Sequence, residues 1–154
     1  MANTNIGAKF YIAVDSSNNP DPQANDLADS EFAALTWVQV PNLGTHGDTG
    51  VDQNMVGYST WDNVLNPQQK GEATGAQPEV EFLDETSTGM TAMKAAASVS
   101  DQNNYAFKVE WSDGKIEYNR GLVGAPSYPK GANEDFRRVS FPLAFNQEPV
   151  FDTA

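Results

Sequence analysis

One stretch constrains the fold more than any other, the segment YAFKVEWSDGKIEY over residues 105–118. The pair Asp113-Gly114 predicts a two-residue turn, because Gly adopts positive φ freely and Asp tolerates it. Apolar and polar residues alternate on both sides of the turn, which is the period of a strand with one buried face. The segment therefore predicts an antiparallel hairpin, and any fold of this chain has to bury one of its two faces.

The register of this hairpin follows from the length of its loop. With a two-residue loop, Trp111 lies opposite Ile116, and both apolar rows fall on the same side of the ribbon. The same register places Glu110 opposite Glu117, and like charges directly opposite each other are destabilising. We expect a chain to keep such a pair only where the polar side faces water or where negative charge is needed.

The rest of the chain reads as short strands separated by Gly, Pro and Asn turns, with one helix. The helix is predicted over 87–98, since Ser87 can cap its first turn, and Met90, Met93 and Ala97 recur at helical spacing. Strands are predicted around residues 10–14, 35–40, 51–61, 79–83, 105–111, 115–124, 137–145 and 150–151. The fold class that follows is mainly β, a sandwich or barrel of about six to eight strands with one flanking α-helix at about 87–98.

The length of the chain favours a single domain over residues 1–154, with a flexible N-terminus. Three stretches rich in turn-forming residues are predicted loops, at 15–30, 42–50 and 125–135. The segment 51–61 has no clean apolar face, so it is either an edge strand or a segment that packs on another subunit.

The charge of the chain limits its partners. Lys and Arg number 9 and Asp and Glu 21, so the formal net charge is −12. Such a surface opposes binding to nucleic acid, which depends on cations that neutralise phosphates, and it is equally unsuited to anionic membranes. The sequence has no apolar run long enough to cross a bilayer and no apolar signal-peptide core at its start. We therefore expect a soluble protein without a membrane partner.

No catalytic or metal-binding pattern stands out in the sequence. The chain has no Cys, which excludes disulfides, thiolate zinc sites and cysteine nucleophiles. Its single histidine, His46, is expected to lie exposed in a loop, and one histidine cannot hold zinc by itself. Motifs such as HExxH, GxSxG and GxxxxGK are absent. We predict a protein that is not an enzyme and needs no cofactor.

The order of these elements resembles the major tail tube proteins of long-tailed, non-contractile bacteriophages. The resemblance rests on a helix, the aromatic strand 105–111, the DG turn, and a strand ending in GLVG over 121–124. A long Pro/Gly loop then leads to VSFPL at 139–143, and the chain ends in NQEPVF at 146–151. In the first half, the segments TWVQVPNLG and KGEATGAQPEVEFLD fit the pattern more loosely.

The resemblance implies a structural protein of the virion. Six copies would form a hexameric ring, and the rings would stack into the tail tube through which phage DNA passes into the host. The implied partners are further copies of the chain, the tape measure protein, the tail terminator, and baseplate or tip proteins. DNA would pass without specific binding. The protein would be made in the cytoplasm of the bacterial host and would end in the phage tail.

In such a tube, polar strand faces are candidates for the lumen, because negative charge repels phosphates. The lumen candidates are Lys108, Glu110, Glu117, Glu79 and Glu81. Candidates for contacts between subunits or between rings are Asp48, Asp52, Tyr58, Trp61, Tyr128, Arg137 and Arg138. The three predicted loops would reach neighbouring subunits.

Two other classes of function stay open at this point. A monomeric acidic β-sandwich module that binds carbohydrate or protein would expose Trp37, Trp61 or Trp111 on a shallow face. A small β-fold hydrolase would need two carboxylates at a defined separation, and adjacent acids in loops do not provide evidence for that. Within the tube class, a secretion-tube or gene-transfer-agent protein would show the same sequence features.

Overall fold

The computed structural model describes residues 4–13, 26–62 and 64–153. Its helices are α1 (Asp29–Ala33) and α2 (Thr88–Ala96), and its strands are β1 (Lys9–Ala13), β2 (Trp37–Val40), β3 (Leu43–His46), β4 (Val51–Gly57), β5 (Gln68–Gly75), β6 (Glu79–Leu83), β7 (Tyr105–Glu110), β8 (Lys115–Val123), β9 (Arg138–Phe145) and β10 (Val150–Thr153). The mainly-β class and the flanking helix are as predicted. The described residues form ten strands, more than the sequence pattern indicated.

Most of the strands join one antiparallel sheet in the order β2-β1-β7-β8-β9-β6-β3, and β10 also pairs with β8. β8 is the long central strand, since Lys115–Tyr118 pair with β10 and Gly121–Val123 pair with β9. β9 in turn pairs with β6 through Arg138–Pro142. The sheet curls at this junction, so that Phe10 of β1 meets Phe82 of β6 with ring centroids 5.5 Å apart.

The curled sheet has two layers that face each other across the core. We call β2, β1, β7, β8 and β10 the β1 layer, and β9, β6 and β3 the β6 layer. The inner faces of both layers carry the buried apolar side chains, and α2 completes the core with Met90 and Met93. The outer faces of the two layers therefore point in opposite directions, which decides which polar residues can share a surface.

The β7–β8 hairpin is present, but its loop has three residues where two were predicted. The Trp111 N–H donates to the Lys115 carbonyl at 2.9 Å, which leaves residues 112–114 as the loop. Gly114 has a φ of +93°, the left-handed conformation that commonly ends a three-residue hairpin loop.

The longer loop shifts the pairing by one residue from the predicted register. Val109 lies opposite Glu117, and Glu110 lies opposite Ile116. Glu110 and Glu117 therefore lie on opposite faces of the ribbon and are not a repelling pair. The predicted row of paired glutamates was wrong, because a DG pair alone does not distinguish a two-residue turn from a three-residue loop.

A short helix that the sequence pattern did not predict covers part of the outer face of the β1 layer. α1 buries Phe32 completely, and its ring lies parallel to the Tyr118 ring at a centroid distance of 4.9 Å. The Trp37 indole N–H donates to the Phe32 carbonyl at 3.0 Å. Most of the predicted loop 15–30 lies outside the described residues, and its last residues belong to this helix.

Gly89 allows α2 to lie directly on β2. A Cβ atom at this position would be 1.9 Å from the Gln39 carbonyl oxygen and 2.9 Å from the Val40 Cα. Helix propensity favours Ala over Gly by about 1 kcal/mol, but overpacking at a close contact costs about 1–3 kcal/mol. The steric term acts on backbone atoms, which cannot move aside cheaply, so it outweighs the propensity.

We expect Gly89→Ala to lower the free energy of unfolding by about 2 kcal/mol in a chemical denaturation experiment. The matched control is Ala95→Gly, at an exposed position of the same helix, which should lose about 1 kcal/mol through propensity alone. A Gly89→Ala variant that is more stable than the parent would show that α2 does not pack on β2 at this distance.

Candidate functional site

The most prominent surface feature is a two-stranded ribbon that projects from the β6 layer. His46 of β3 pairs with Val80 of β6. Val51 of β4, five residues after His46, pairs with Gly75 of β5, five residues before Val80, so the register is unchanged. Backbone hydrogen bonds of 2.9 and 3.1 Å bridge the interval. We call the described residues 51–62 and 64–75 the arm. The arm is a direct continuation of the β6 layer.

The arm exposes apolar side chains that nothing else in the described part of the chain covers. Trp61, Val64 and Leu65 are 105%, 107% and 87% exposed. We call residues 61, 62, 64 and 65 the arm tip. Met55 and Tyr58, which lie closer to the base of the arm, are exposed as well. Contiguous exposed apolar side chains of this kind mark interaction surfaces in soluble proteins. The arm is therefore a candidate contact surface.

Glu117, one of the predicted lumen residues, is buried close to the base of the arm. It is 5% exposed, and its carboxylate accepts a hydrogen bond of 2.5 Å from the Thr49 hydroxyl. A carboxylate that is buried inside one subunit cannot face a lumen. Glu117 therefore leaves the set of lumen candidates.

The predicted loop 42–50 is in part a strand. β3 lies within it and pairs with β6. His46, which was expected to be exposed, is half-buried in this strand, and its ring centroid lies 5.9 Å from that of Phe10. The expectation was wrong because the turn-rich composition of NLGTHG hides a short strand that is held by tertiary pairing.

The outer face of the β6 layer is an open polar surface. Glu79 and Glu81 alternate with the buried residues of β6 and therefore point away from the core. The Ser140 hydroxyl donates to the Glu79 carboxylate, and the Arg138 guanidinium lies 3.3 Å from the Glu81 carboxylate. These contacts hold two carboxylates in place on an accessible face.

Lys108 and Glu110 lie on the other side of the molecule, on the outer face of the β1 layer. The Lys108 ammonium is 3.9 Å from the Glu110 carboxylate and 4.3 Å from the centroid of the Tyr11 ring. Burial lowers the pKa of Lys108, and the Glu110 charge opposes that shift. Burial also raises the pKa of Tyr11, and the Glu110 charge adds to that shift. The five lumen candidates thus divide between two opposed faces and one buried position, so they cannot line a single lumen together.

A second surface of this acidic chain is rich in basic and aromatic side chains. A depression of about 350 Å³ lies beside the start of β9, and it is bordered by Tyr128, Lys130, Phe136, Arg137 and Arg138. We call these five residues the platform. The Lys130 ammonium lies 5.8 Å from the centroid of the Tyr128 ring, within the range of a cation–π contact.

The predicted contact residues fall on these two surfaces. Tyr128, Arg137 and Arg138 belong to the platform, Asp52, Tyr58 and Trp61 lie on the arm, and Asp48 lies at its base. Sequence reasoning missed Val64 and Leu65 at the arm tip, and Lys130 and Phe136 on the platform. An apolar pair inside the turn-rich stretch NVLNP was the available signal for the first two.

Three strands of the main sheet have only one strand neighbour each among the described residues. β2 pairs with β1, β3 pairs with β6, and β10 pairs with β8. The second edge of such a strand presents N–H and C=O groups on which a strand of another chain can pair.

Comparison with solved structures finds a similar fold in chains of a tail tube, a baseplate and a tube-terminating cap. The SPP1 tail tube, determined by solid-state NMR and cryo-EM, is similar with a TM-score of 0.66 at 11% identity, over 96% of this chain and 77% of that chain. A chain of the anti-feeding prophage baseplate gives a TM-score of 0.60 at 8% identity, over 99% and 98% of the two chains. A chain of the anti-feeding prophage tube-terminating cap gives a TM-score of 0.56 at 12% identity, over 94% and 88%. The chain has the tail tube fold, as its sequence resemblance predicted.

Sequence comparison adds no closer relative. No family model matches the chain, and no curated protein matches it. In the described ranges, no helix has the length and apolar character of a membrane span. Structural likeness at 8% to 12% identity establishes the fold alone.

Proposed function

We propose that the chain is a structural protein of a phage tail, in which six copies form a ring and stacked rings form a tube for the passage of DNA. The observation that carries the proposal is the arm. Trp61, Val64 and Leu65 have no packing partner among the described residues, and exposed apolar area costs about 25 cal/mol per Å² in water. An assembly that covers the arm removes this cost.

The free edge of β3 supports pairing between neighbouring subunits. A strand from the next subunit that bonds to this edge would extend the β6 layer around the ring. Such pairing satisfies backbone groups and removes an edge that is otherwise open to aggregation. When a contact uses different surfaces on the two partners, it closes into a ring if the rotation from one subunit to the next is a whole fraction of a full turn.

We propose that the outer face of the β6 layer lines the lumen. This face is open, whereas Phe32 of α1 and Leu35, which follows α1, cover part of the outer face of the β1 layer. It carries Glu79 and Glu81, and a ring of six subunits repeats this pair around the lumen. The carboxylates repel phosphates, so that DNA slides past without specific binding. The arm continues the same ribbon and would extend this wall along the tube axis.

The remaining parts of the proposal follow the family resemblance. The chain acts without catalysis as one domain, and the loop 125–135 faces a neighbouring subunit. The tape measure protein occupies the lumen before DNA, the tail terminator contacts one end of the tube, and baseplate or tip proteins contact the other. The protein is made in the cytoplasm of the host and functions in the virion.

One observation favours the alternative, a monomeric β-sandwich binding module for carbohydrate or protein. Trp61 is fully exposed, as a ligand-stacking residue would be. Trp37 and Trp111 are half-buried, and their indole N–H groups donate at 3.0 Å to Phe32 and at 3.1 Å to Asn5. These three tryptophans therefore do not form a flat aromatic surface for ligand stacking.

Microscopy and scattering of the purified protein test the proposal. We expect rings or tubes of uniform width in negative stain, and a steep rise in light scattering above a threshold concentration. A species that stays monomeric at high concentration, and that forms no tubes with other tail components, would contradict the proposal. Ligand binding at Trp61 by that monomer would favour the alternative.

A further inference from the structure

We propose that the arm tip of one subunit docks on the platform of another copy, with the Asp62 carboxylate between Arg137 and Lys130. This inference rests on the proposed function, because it names the surface that receives the arm. Three properties of the chain support it: the positions of the two surfaces, their charges and their apolar content.

The arm and the platform lie at opposite ends of the same strand. The arm leaves the sheet beyond Glu79, at the start of β6. The platform lies beyond Leu83, at the end of β6, where the Asp84 N–H donates to the Arg137 carbonyl at 2.9 Å. A projection at one end and a receiving surface at the other form a heterologous contact, which repeats from copy to copy and does not stop at a dimer.

The platform and its neighbour Lys94 hold four of the nine basic residues of this acidic chain, Lys94, Lys130, Arg137 and Arg138. The Lys94 ammonium lies 5.8 Å from the Tyr128 ring centroid. Asp84 and Asp135 line the same depression, and the Asp135 carboxylate accepts a hydrogen bond of 2.8 Å from the Ala132 N–H. Lys94 and Arg138 each pair with a carboxylate of their own subunit, at 3.0 and 3.3 Å. Within the described ranges, no ion pair engages Lys130 or Arg137. These two cations are available for a carboxylate from outside.

The arm tip has the matching composition. Asp62 is exposed and follows Trp61, and exposed Leu65 lies close in sequence. On the platform, Phe136 is 77% exposed and Tyr128 is 44% exposed. Cations are attracted to the face of an indole ring, and a carboxylate that meets Arg forms a strong charge-assisted hydrogen bond.

A second copy of this chain is the occupant, because both complementary surfaces are present on one molecule. With a net charge of −12, two copies repel each other unless the contact places unlike charges together. The platform provides the cations Lys130 and Arg137 for such a contact, and the arm tip provides the Asp62 carboxylate.

A disulfide experiment tests the contact directly, since the chain has no Cys of its own. We expect the Asp62→Cys/Arg137→Cys variant, oxidised under assembly conditions, to give a ladder of dimers, trimers and larger species on a non-reducing gel. A ladder forms because every subunit both donates and receives a contact. The control variant Asp62→Cys/Lys115→Cys, with its second thiol at an exposed position of the β7–β8 hairpin, should give no ladder.

A charge swap provides the second readout. Lys130→Glu/Arg137→Glu should lower the yield of tubes about tenfold or more, because two repulsions replace two attractions. Adding Asp62→Lys to that variant should restore most of the yield. Tubes from the parent protein, without a ladder from the cysteine pair and without the charge effect, would overturn the docking and leave the proposed function standing. A parent protein that forms neither rings nor tubes would overturn both.

Discussion

Replacing Trp61 and Leu65 by serine is expected to raise the concentration needed for assembly and to leave the subunit folded. Both side chains are almost fully exposed, so the free energy of unfolding of the monomer should change by less than about 0.5 kcal/mol. A buried aromatic anchor at an interface contributes about 2 kcal/mol or more, which corresponds to roughly a thirtyfold rise in the concentration needed for assembly. Light scattering against concentration measures that threshold.

The control for this variant uses exposed apolar residues outside the arm. Ile6 and Val99 are 81% and 83% exposed, and Ile6→Ser/Val99→Ser removes a comparable apolar surface. This control should assemble at the same concentration as the parent. If the Trp61/Leu65 variant also assembles at that concentration, the arm is not the surface that holds copies together.

Reversing the charge of the β6 layer is expected to trap DNA in the tube. Glu79→Lys/Glu81→Lys replaces two carboxylates by two ammonium groups on the face that we assign to the lumen. Cations in a narrow channel bind phosphates, and that binding weakens steeply with salt. Assembled tubes of this variant should retain labelled double-stranded DNA at low salt and release it at high salt, as measured by fluorescence after removal of free DNA.

The matched control changes the net charge equally on the opposite face. Glu110 and Asp152 lie on the outer face of the β1 layer, on either side of Ile116, and Glu110→Lys/Asp152→Lys should leave DNA retention at the level of the parent. Retention by this control, but not by the Glu79/Glu81 variant, would reverse the assignment of the lumen face.

The helix and the hairpin were predictable because their signals are local. The Ser87 hydroxyl accepts a hydrogen bond of 3.1 Å from the Met90 N–H, which is the cap that the sequence predicted. Met90 and Met93 are buried, as their spacing predicted. The existence of the β7–β8 hairpin was equally clear, and its register was not, because one loop residue moves every side chain to the other face.

The elements that escaped prediction depend on distant contacts. α1 spans only five residues, too few to show helical periodicity, and the stacking of Phe32 on Tyr118 anchors it on the β1 layer. The short strand β3 is held by β6 in the same way. Neither partner can be identified from the local sequence.

The two candidate surfaces were predictable to different degrees. The lack of an apolar face in residues 51–61 correctly indicated a strand that the subunit does not bury, and its packing on another subunit stays a prediction. The platform joins residues of the 125–135 loop with the start of β9, which only the folded chain brings together. Glu79 and Glu81 lie on the opposite face from Lys108 and Glu110 because the sheet curls, and the local sequence does not show this curl.

Helical reconstruction of assembled tubes by cryo-EM tests the central claim most directly. We expect six subunits in each ring, Glu79 and Glu81 on the wall of the lumen, and Lys108 and Glu110 away from it. We also expect the arm of each subunit to bridge to another copy. A lumen wall formed by the face of Lys108 and Glu110, or arms that point into solvent in the assembled tube, would contradict the proposed assembly.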